Sequence, residues 1–494
     1  MEFFGLTLPY TLLFYTHLVL YSIGIAITLP KGGLKHNIFF LFILFIFFIY
    51  LTVTPALFYY SGYKGIFGTD CRIGHHYEEA AFMYAINIFF VIIGYVMLPN
   101  KIARQRQPVI HTTYDASTKA QILFFVFYSI VILNLALGGE SIFQLLTFQY
   151  EAEVNEKGQA ELVLMGNHDV GFSNYLANFA DAIITTLLGC FIFKTPRWRM
   201  IGLTLIALLL FSMLGFRYRT LLTLFGFFII YVLMSEVTMG RILSYVFIGS
   251  TMLYVMLFLT ANRWEIASAQ WDKVSYDVTK MDYFYMISQT RASMADMAVL
   301  RNFDRHPELP YEGGSIMFLT PIIRLTPSFI YPGGKKPYPD EGPYSGSTTL
   351  YTITRHSKGA GEAISMLGTF YLSFGYAGIV FFAFLLGFFA KIIQNGLRLN
   401  SPYSILFYTL FCLGFFQSFT RGNTGEALDH FGFLMLGYLA LRIWRNMPLK
   451  NNIEGVIMKV PHIPSSQYEP IQWRNLIWNP ERTRKLKAFI IEYL

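Results

Sequence analysis

"IFFLFILFIFFIYLTVTPALF", residues 38–58, runs for twenty-one positions without a charged side chain. A helix of that length rises about 30 Å, the thickness of the hydrocarbon core of a bilayer. Water is missing at that depth, so the backbone has to satisfy its own hydrogen bonds and a helix is the expected form. Working outward, apolar runs of about 17 to 27 residues recur near 8–28, 81–98, 120–138, 172–193, 200–216, 220–236, 242–261, 366–392, 402–418 and 431–447. Only 14% of the residues are charged and 54% are hydrophobic, whereas a soluble domain carries about a quarter charged. The chain therefore reads as an all-α polytopic membrane protein of about eleven spans. Residues 1–261 hold helices one to eight, 262–364 an external loop domain, 365–447 helices nine to eleven, and 448–494 a basic tail.

The N-terminal "MEFFGLTLPY" has neither a basic n-region nor a small-residue cleavage pattern, so the first run is expected to stay as a span. Cys71, Cys190 and Cys412 are far apart and suggest neither a disulfide framework nor a thiolate metal site. The net charge of +8 sits in short connectors and the tail, which fits loop topology and not nucleic-acid binding. No internal repeat is visible.

Alternate connectors separate by charge. Lys31 and Lys35, Lys101, Arg104 and Arg106, Lys194, Arg197 and Arg199, Arg241, Lys391 and Arg398, and the tail from Arg442 form one set. The positive-inside rule makes that set cytoplasmic. The other set holds residues 59–80, the acidic connector 148–169 and the long segment from Asn262. It lies outside, with the N-terminus outside and the C-terminus inside.

"SMLGFRYRTLLTLF", residues 212–225, then stands out, because Arg217 and Arg219 fall on the outer face with no acidic residue near them in the chain. Two readings stand together: snorkelling to outer headgroups, or binding an anionic ligand. The external segment 262–363 carries eleven basic and eleven acidic side chains, as a solvated, ordered domain does. Residues 281–303 show helical spacing, with Arg291 on the more polar face. The stretch 319–346 is dense in proline and glycine, and it excludes a central strand or a long helix. Its Tyr331, Tyr338 and Tyr344 suit either stacking on sugar rings or anchoring at the interface. "TRHSKGAGEAISMLG" (354–368) places His356 among cations just before the ninth span, where it can exchange a proton near neutral pH. "SFTRGNTGEALDHF" (418–431) offers Arg421, Glu426, Asp429 and His430 in the last outer connector.

Arginines on several outer connectors suit a lipid-borne phosphate or pyrophosphate, because the guanidinium forks onto phosphate oxygens. Glu426, Asp429 and His356 are the groups able to take a proton from an attacking sugar hydroxyl. Nucleotide loops are absent. His75 and His76 with Glu78 and Glu79 are adjacent residues in an unpatterned loop, a weak ligand set, so no metal is expected.

Four stretches, "GFRYRTLL", "IIRLTPSFIYPGGKKP", "RHSKGAGEAISMLGTFYLSFGYAGIVF" and "FTRGNTGEALDHFGFL", together resemble the O-antigen polymerase (Wzy) family of oligosaccharide repeat-unit polymerases. A more distant similarity is to the enterobacterial common antigen polymerase. The resemblance is strongest from about residue 201 to 447. It implies a GT-C-like membrane glycosyltransferase of the bacterial inner membrane, acting without metal or cofactor on undecaprenyl-pyrophosphate-linked donor and acceptor. Membrane lipids, a chain-length regulator and a flippase are the partners it implies. It also implies that Arg217, Arg291 and Arg421 contact the pyrophosphate and that His356 or Glu426 supports deprotonation of the acceptor. The doubled arginine at Arg219 leaves open which of the pair binds. An O-antigen ligase, a flippase for lipid-linked sugars and a scaffold in a polysaccharide assembly complex are the other readings of the same layout. The outward clustering of the cations and the lack of repeats count against the flippase.

Overall fold

The computed structural model describes residues 9–28, 35, 37–61, 76–99, 114–137, 150–154, 160–164, 176, 178–213, 217–235, nine positions between 240 and 262, 271–274, 292–326, 330–332, 337, 364–399, 401–421 and 424–445. All of them belong to the first of two compact units, Met1–Met447, the second being Pro448–Leu494. Helices make up nearly all of the described residues. They are α1 (Tyr10–Thr28), α2 (Ile38–Phe47), α3 (Thr54–Ser61), α4 (His76–Met97), α5 (Tyr114–Leu137), α6 (Phe179–Ile192), α7 (Arg197–Met213), α8 (Arg217–Met234), α9 (Ala292–Arg305), α10 (Ser315–Leu325), α11 (Met366–Gly396), α12 (Pro402–Arg421) and α13 (Thr424–Trp444).

Among the described residues, six helices are long and apolar enough to cross a membrane: Tyr10–Thr28, Ile38–Tyr60, His76–Met97, Asp115–Asn134, Met366–Gly396 and Pro402–Thr420. Phe179–Ile192 and Tyr218–Met234 are shorter apolar helices. One departure from an all-helical chain lies in the acidic connector. There β1 (Tyr150–Val154) pairs antiparallel with β2 (Ala160–Leu164), Tyr150 opposite Leu164 and Val154 opposite Ala160. Two five-residue strands are too short to stand out in a polar connector, which is why the periodicity did not show them.

The run that opened the sequence reading is one helix with a π-helical segment, Phe48–Val53, joining α2 to α3. A π-turn frees a backbone group and re-aims the side chains around it. Here the Thr52 hydroxyl reaches His17 Nδ1 at 3.0 Å and the Tyr21 hydroxyl at 3.2 Å, while His17 Nε2 meets the Ala81 carbonyl at 2.8 Å. Three elements are thereby tied by buried polar groups that satisfy one another.

Helices α4 and α11 approach backbone to backbone. A Cβ on Gly94 would lie 2.0 Å from the Phe384 carbonyl oxygen, and one on Gly387 would lie 2.0 Å from that of Val91. Small residues at such crossings replace the hydrophobic drive that lipid cannot supply. At the centre of the other half is α6, in which every residue from Ala180 to Cys190 is buried. Its Thr185 hydroxyl donates to the Leu434 carbonyl of α13 at 2.8 Å.

The two ends of the bundle are distinct. At one end the rings of Tyr10, Tyr59 and Tyr77 gather. At the other, Asn37 Oδ1 accepts from the Tyr95 hydroxyl at 2.7 Å and from Gln394 Nε2 at 2.9 Å, and Ser117 meets Thr195 at 2.8 Å.

The described part of the long segment between α8 and α11 docks on the first of these ends. Asp296 of α9 accepts from the Tyr84 hydroxyl (3.0 Å), the Ser365 hydroxyl (2.6 Å) and the Ser365 amide (3.1 Å). Ser365 in turn caps α11 by accepting from the amides of Leu367 and Gly368. Helix α11 is broken at Phe374 and Gly375, where Gly375 takes φ +61°. The carbonyls released there are taken up by the amides of Glu312 and Gly313, each at 3.0 Å. Helical spacing predicted a helix at 281–303, and the described part begins at Ala292 and runs to Arg305. The start of the proline- and glycine-rich stretch is the end of α10, an eleven-residue helix with Pro321 inside it.

Candidate active site

Residues from the first turns of two helices and the second turn of a third meet at one place. Asp181 is the third residue of α6, Arg219 the third of α8 and His430 the seventh of α13, and their side chains touch. Arg219 Nε donates to Asp181 Oδ1 at 3.0 Å, and His430 Nδ1 lies 2.5 Å from Asp181 Oδ2. Arg219 Nη2 donates to Asn178 Oδ1 at 3.3 Å. Asn178 holds the N-cap position of α6, yet it makes no side-chain cap. Its oxygen is turned to the guanidinium instead.

Tyr218 completes the group. Its hydroxyl lies 3.1 Å from His430 Nδ1 and 3.4 Å from Nε2, and its ring lies 5.1 Å from the Arg219 guanidinium carbon. Asp181 is fully buried, Arg219 is 1% exposed and the His430 side chain 12%. A buried charge pair is tolerable only with good geometry and further hydrogen bonds, and both conditions hold here. His430 alone of the three reaches toward solvent.

Each helix N-terminus carries about half a positive charge from its aligned peptide dipoles. Two such ends, at Phe179 and Arg217, lie within one turn of this cluster, and Arg217 is itself the first residue of α8. Such ends are natural anion sites. The carboxylate oriented against an imidazole is, independently, the arrangement that holds a base in one tautomer.

The residues expected from the sequence distribute as follows. Arg217 is the first residue of α8, Arg421 the last of α12, and Glu426 the third of α13. Their side chains lie outside the described residues. Asp429 is buried in α13, next to His430. Tyr331 is partly exposed in the segment between α10 and α11. Arg291, Tyr338, Tyr344 and His356 lie outside the described residues. Arg219 departs from its expected surroundings: the arginine pair has no acidic neighbour along the chain, but Asp181, 38 positions earlier, supplies Arg219 with a carboxylate.

Two groups escaped the sequence reading. Asp181 lies inside a run taken simply as a span, although an ionisable residue at membrane depth is itself a signal of function. His430 was visible in the last connector but carried no distinguishing pattern until Asp181 was placed beside it. A third constellation also appears only in space. His76 and Glu79, set aside as ligands, meet Asp304 from α9, with the three donor atoms within 4.8 Å of one another.

A family model described as O-antigen polysaccharide polymerase Wzy matches residues 3–452 of the chain. No curated protein and no solved structure matches it.

Proposed function

The chain belongs to the O-antigen polysaccharide polymerase Wzy family, and from that premise we propose how it joins lipid-linked repeat units. It is a multi-pass membrane protein of polysaccharide biosynthesis. In our reading it crosses the bacterial inner membrane about eleven times, N-terminus outside, with the Asp181–Arg219–His430 cluster at the outer face. The donor is a growing glycan on undecaprenyl pyrophosphate and the acceptor a single lipid-linked repeat.

The observation that carries this reading is the Asp181 carboxylate held between Arg219 and His430 at the N-terminal ends of α6 and α8. The pyrophosphate docks against those ends, with Arg217 and Arg421 forking onto its oxygens. Arg291, from the residue just before α9, and the tyrosines Tyr331, Tyr338 and Tyr344 approach the sugars and phosphate from the external segment. Arg219 is a positioning residue: it holds Asp181, and Asp181 holds His430. The acceptor hydroxyl attacks the anomeric carbon as the bond from that carbon to the pyrophosphate oxygen breaks. The bonding electrons leave with the pyrophosphate, whose growing charge the helix ends and arginines stabilise. The hydroxyl proton passes to His430, with Glu426, Asp429 and His356 as the further acceptors the sequence offers. Positioned general bases of this kind contribute roughly 10²- to 10⁴-fold.

Purified protein in proteoliposomes with a lipid-linked repeat unit tests the reading, with products resolved by gel. A ladder of chain lengths is expected, and it should be lost in Arg217→Ala, Arg421→Ala and His430→Ala at unchanged protein level. Movement of the lipid across the vesicle with no polymer would replace the polymerase by a transporter. Transfer only to a lipid A core acceptor would replace it by a ligase.

A further inference from the structure

The start of α4 carries His76 and Glu79 one turn apart on one face, and the last turn of α9 brings Asp304 against them. His76 Nδ1 lies 3.5 Å from Glu79 Oε2 and 3.5 Å from Asp304 Oδ2. These separations are longer than hydrogen bonds. They match the edge of a tetrahedron around a cation, since ligand bonds of about 2.0–2.2 Å give ligand-to-ligand distances of about 3.4 Å. The third edge needs only a small closure, because all three donor atoms already lie within 4.8 Å of one another.

Burial supplies an independent observation. His76 Nδ1 is buried and makes no hydrogen bond, and the Glu79 side chain is only 9% exposed. An imidazole nitrogen left in that state has given up its hydrogen bond to water without replacement, and two carboxylates turned toward each other add repulsion. A divalent cation removes both costs at once. Imidazole with two carboxylates is a donor set for a borderline ion such as zinc, whereas magnesium and calcium prefer all-oxygen sites.

We propose that His76, Glu79 and Asp304 form a zinc-preferring divalent-cation site that clamps the last turn of α9 to the start of α4, leaving a fourth position for water. The other end of α9 is already fastened, through Asp296, to Tyr84 and to the cap of α11. The ion therefore fixes the second end of the same helix. Its role is to position the external segment, and none of its ligands belongs to the Asp181–His430 cluster.

Full-length protein in detergent, stripped with a chelator and titrated with zinc chloride by calorimetry, tests the site, with bound metal counted by mass spectrometry. One zinc per chain is expected, with a rise in melting temperature on zinc addition. Removing only the outer-shell partner of a metal ligand weakens metal binding about 10- to 100-fold, so losing a ligand should weaken it by about tenfold or more. Asp304→Asn and Glu79→Gln should show that loss, and the melting shift should vanish with it. Asp304 is 61% exposed, so its variant keeps the fold even where a change at His76 does not. His306→Ala, in the exposed His306–Glu308 pair, is the control that should bind as wild type. The proposal falls if zinc at about 100 µM, a Kd worth only about 5.5 kcal/mol, leaves the protein without stoichiometric metal. It falls equally if Asp304→Asn and Glu79→Gln bind as tightly as wild type. Neither readout requires the glycan substrate, so the result stands apart from that of the polymerase assay.

Discussion

Asp181→Asn preserves shape and removes one charge from a cluster in which both partners are buried. The Arg219 and Asp181 groups are 3.0 Å apart. At an effective dielectric near 20, unit charges at that distance attract by about 5 kcal/mol. Part of that attraction offsets the desolvation of the two ions, so the pair itself contributes little net stability. Breaking it is another matter, because the guanidinium would remain buried against neutral oxygens, and such losses run at about 3–5 kcal/mol. Arg219→Gln should cost a similar amount, leaving the carboxylate with His430 and without its arginine. The double variant Asp181→Asn with Arg219→Gln replaces an ion pair by two amides, and it should cost less than the sum of the singles by about 2 kcal/mol or more. Equilibrium unfolding in mixed detergent micelles at neutral pH measures all three. Singles below about 1 kcal/mol that simply add would show that the charges are not compensated by each other, and the reasoning would be refuted.

His430→Ala should lower polymerisation by roughly 10²- to 10⁴-fold with little change in unfolding, the signature of a lost base, measured as initial rate at saturating acceptor. Gly387→Ala should destabilise the α4–α11 crossing by about 1–3 kcal/mol in the same detergent assay, because its new Cβ falls 2.0 Å from the Val91 carbonyl oxygen. Asp296 gives a pH signature: burial pushes its carboxyl up to about 6, against the opposing hydrogen bonds of Ser365 and Tyr84. Between pH 6 and its ordinary value near 4 the folded protein holds a proton that the unfolded chain releases. Stability from this group therefore falls as pH rises through that window, by about 3 kcal/mol at most, and is flat on either side. Comparing unfolding at pH 4.5 and 7 in wild type and Asp296→Asn checks it, the variant losing that share of the pH dependence.

Much of the fold was legible along the chain. A run such as 38–58 has no alternative to a helix at membrane depth, and described helices lie at every expected span outside 242–261, where single positions alone are described. Irregularities inside those runs were not legible. The π-turn at Phe48–Val53 and the break at Phe374–Gly375 each meet a partner distant in the chain, His17 for one and the Glu312–Gly313 amides for the other. Arg219 and His430 both lay in connectors singled out from the sequence, and the structure brings them to one carboxylate. Asp181, by contrast, sat unremarked within an apolar run, and Asp304 was one exposed acid among many.

By itself the sequence determined the class of the protein and the alternation of its connectors by charge. These follow from hydrophobicity and charge counted among neighbours, which the order of residues contains in full. Only the tertiary structure decided which arginine has a carboxylate of its own, which histidine has an oriented partner and which acids meet His76. Electrostatic compensation depends on distance in space. Asp181 and Arg219 stand 38 positions apart along the chain, Asp181 and His430 stand 249 apart, and in each case helix packing alone closes the gap.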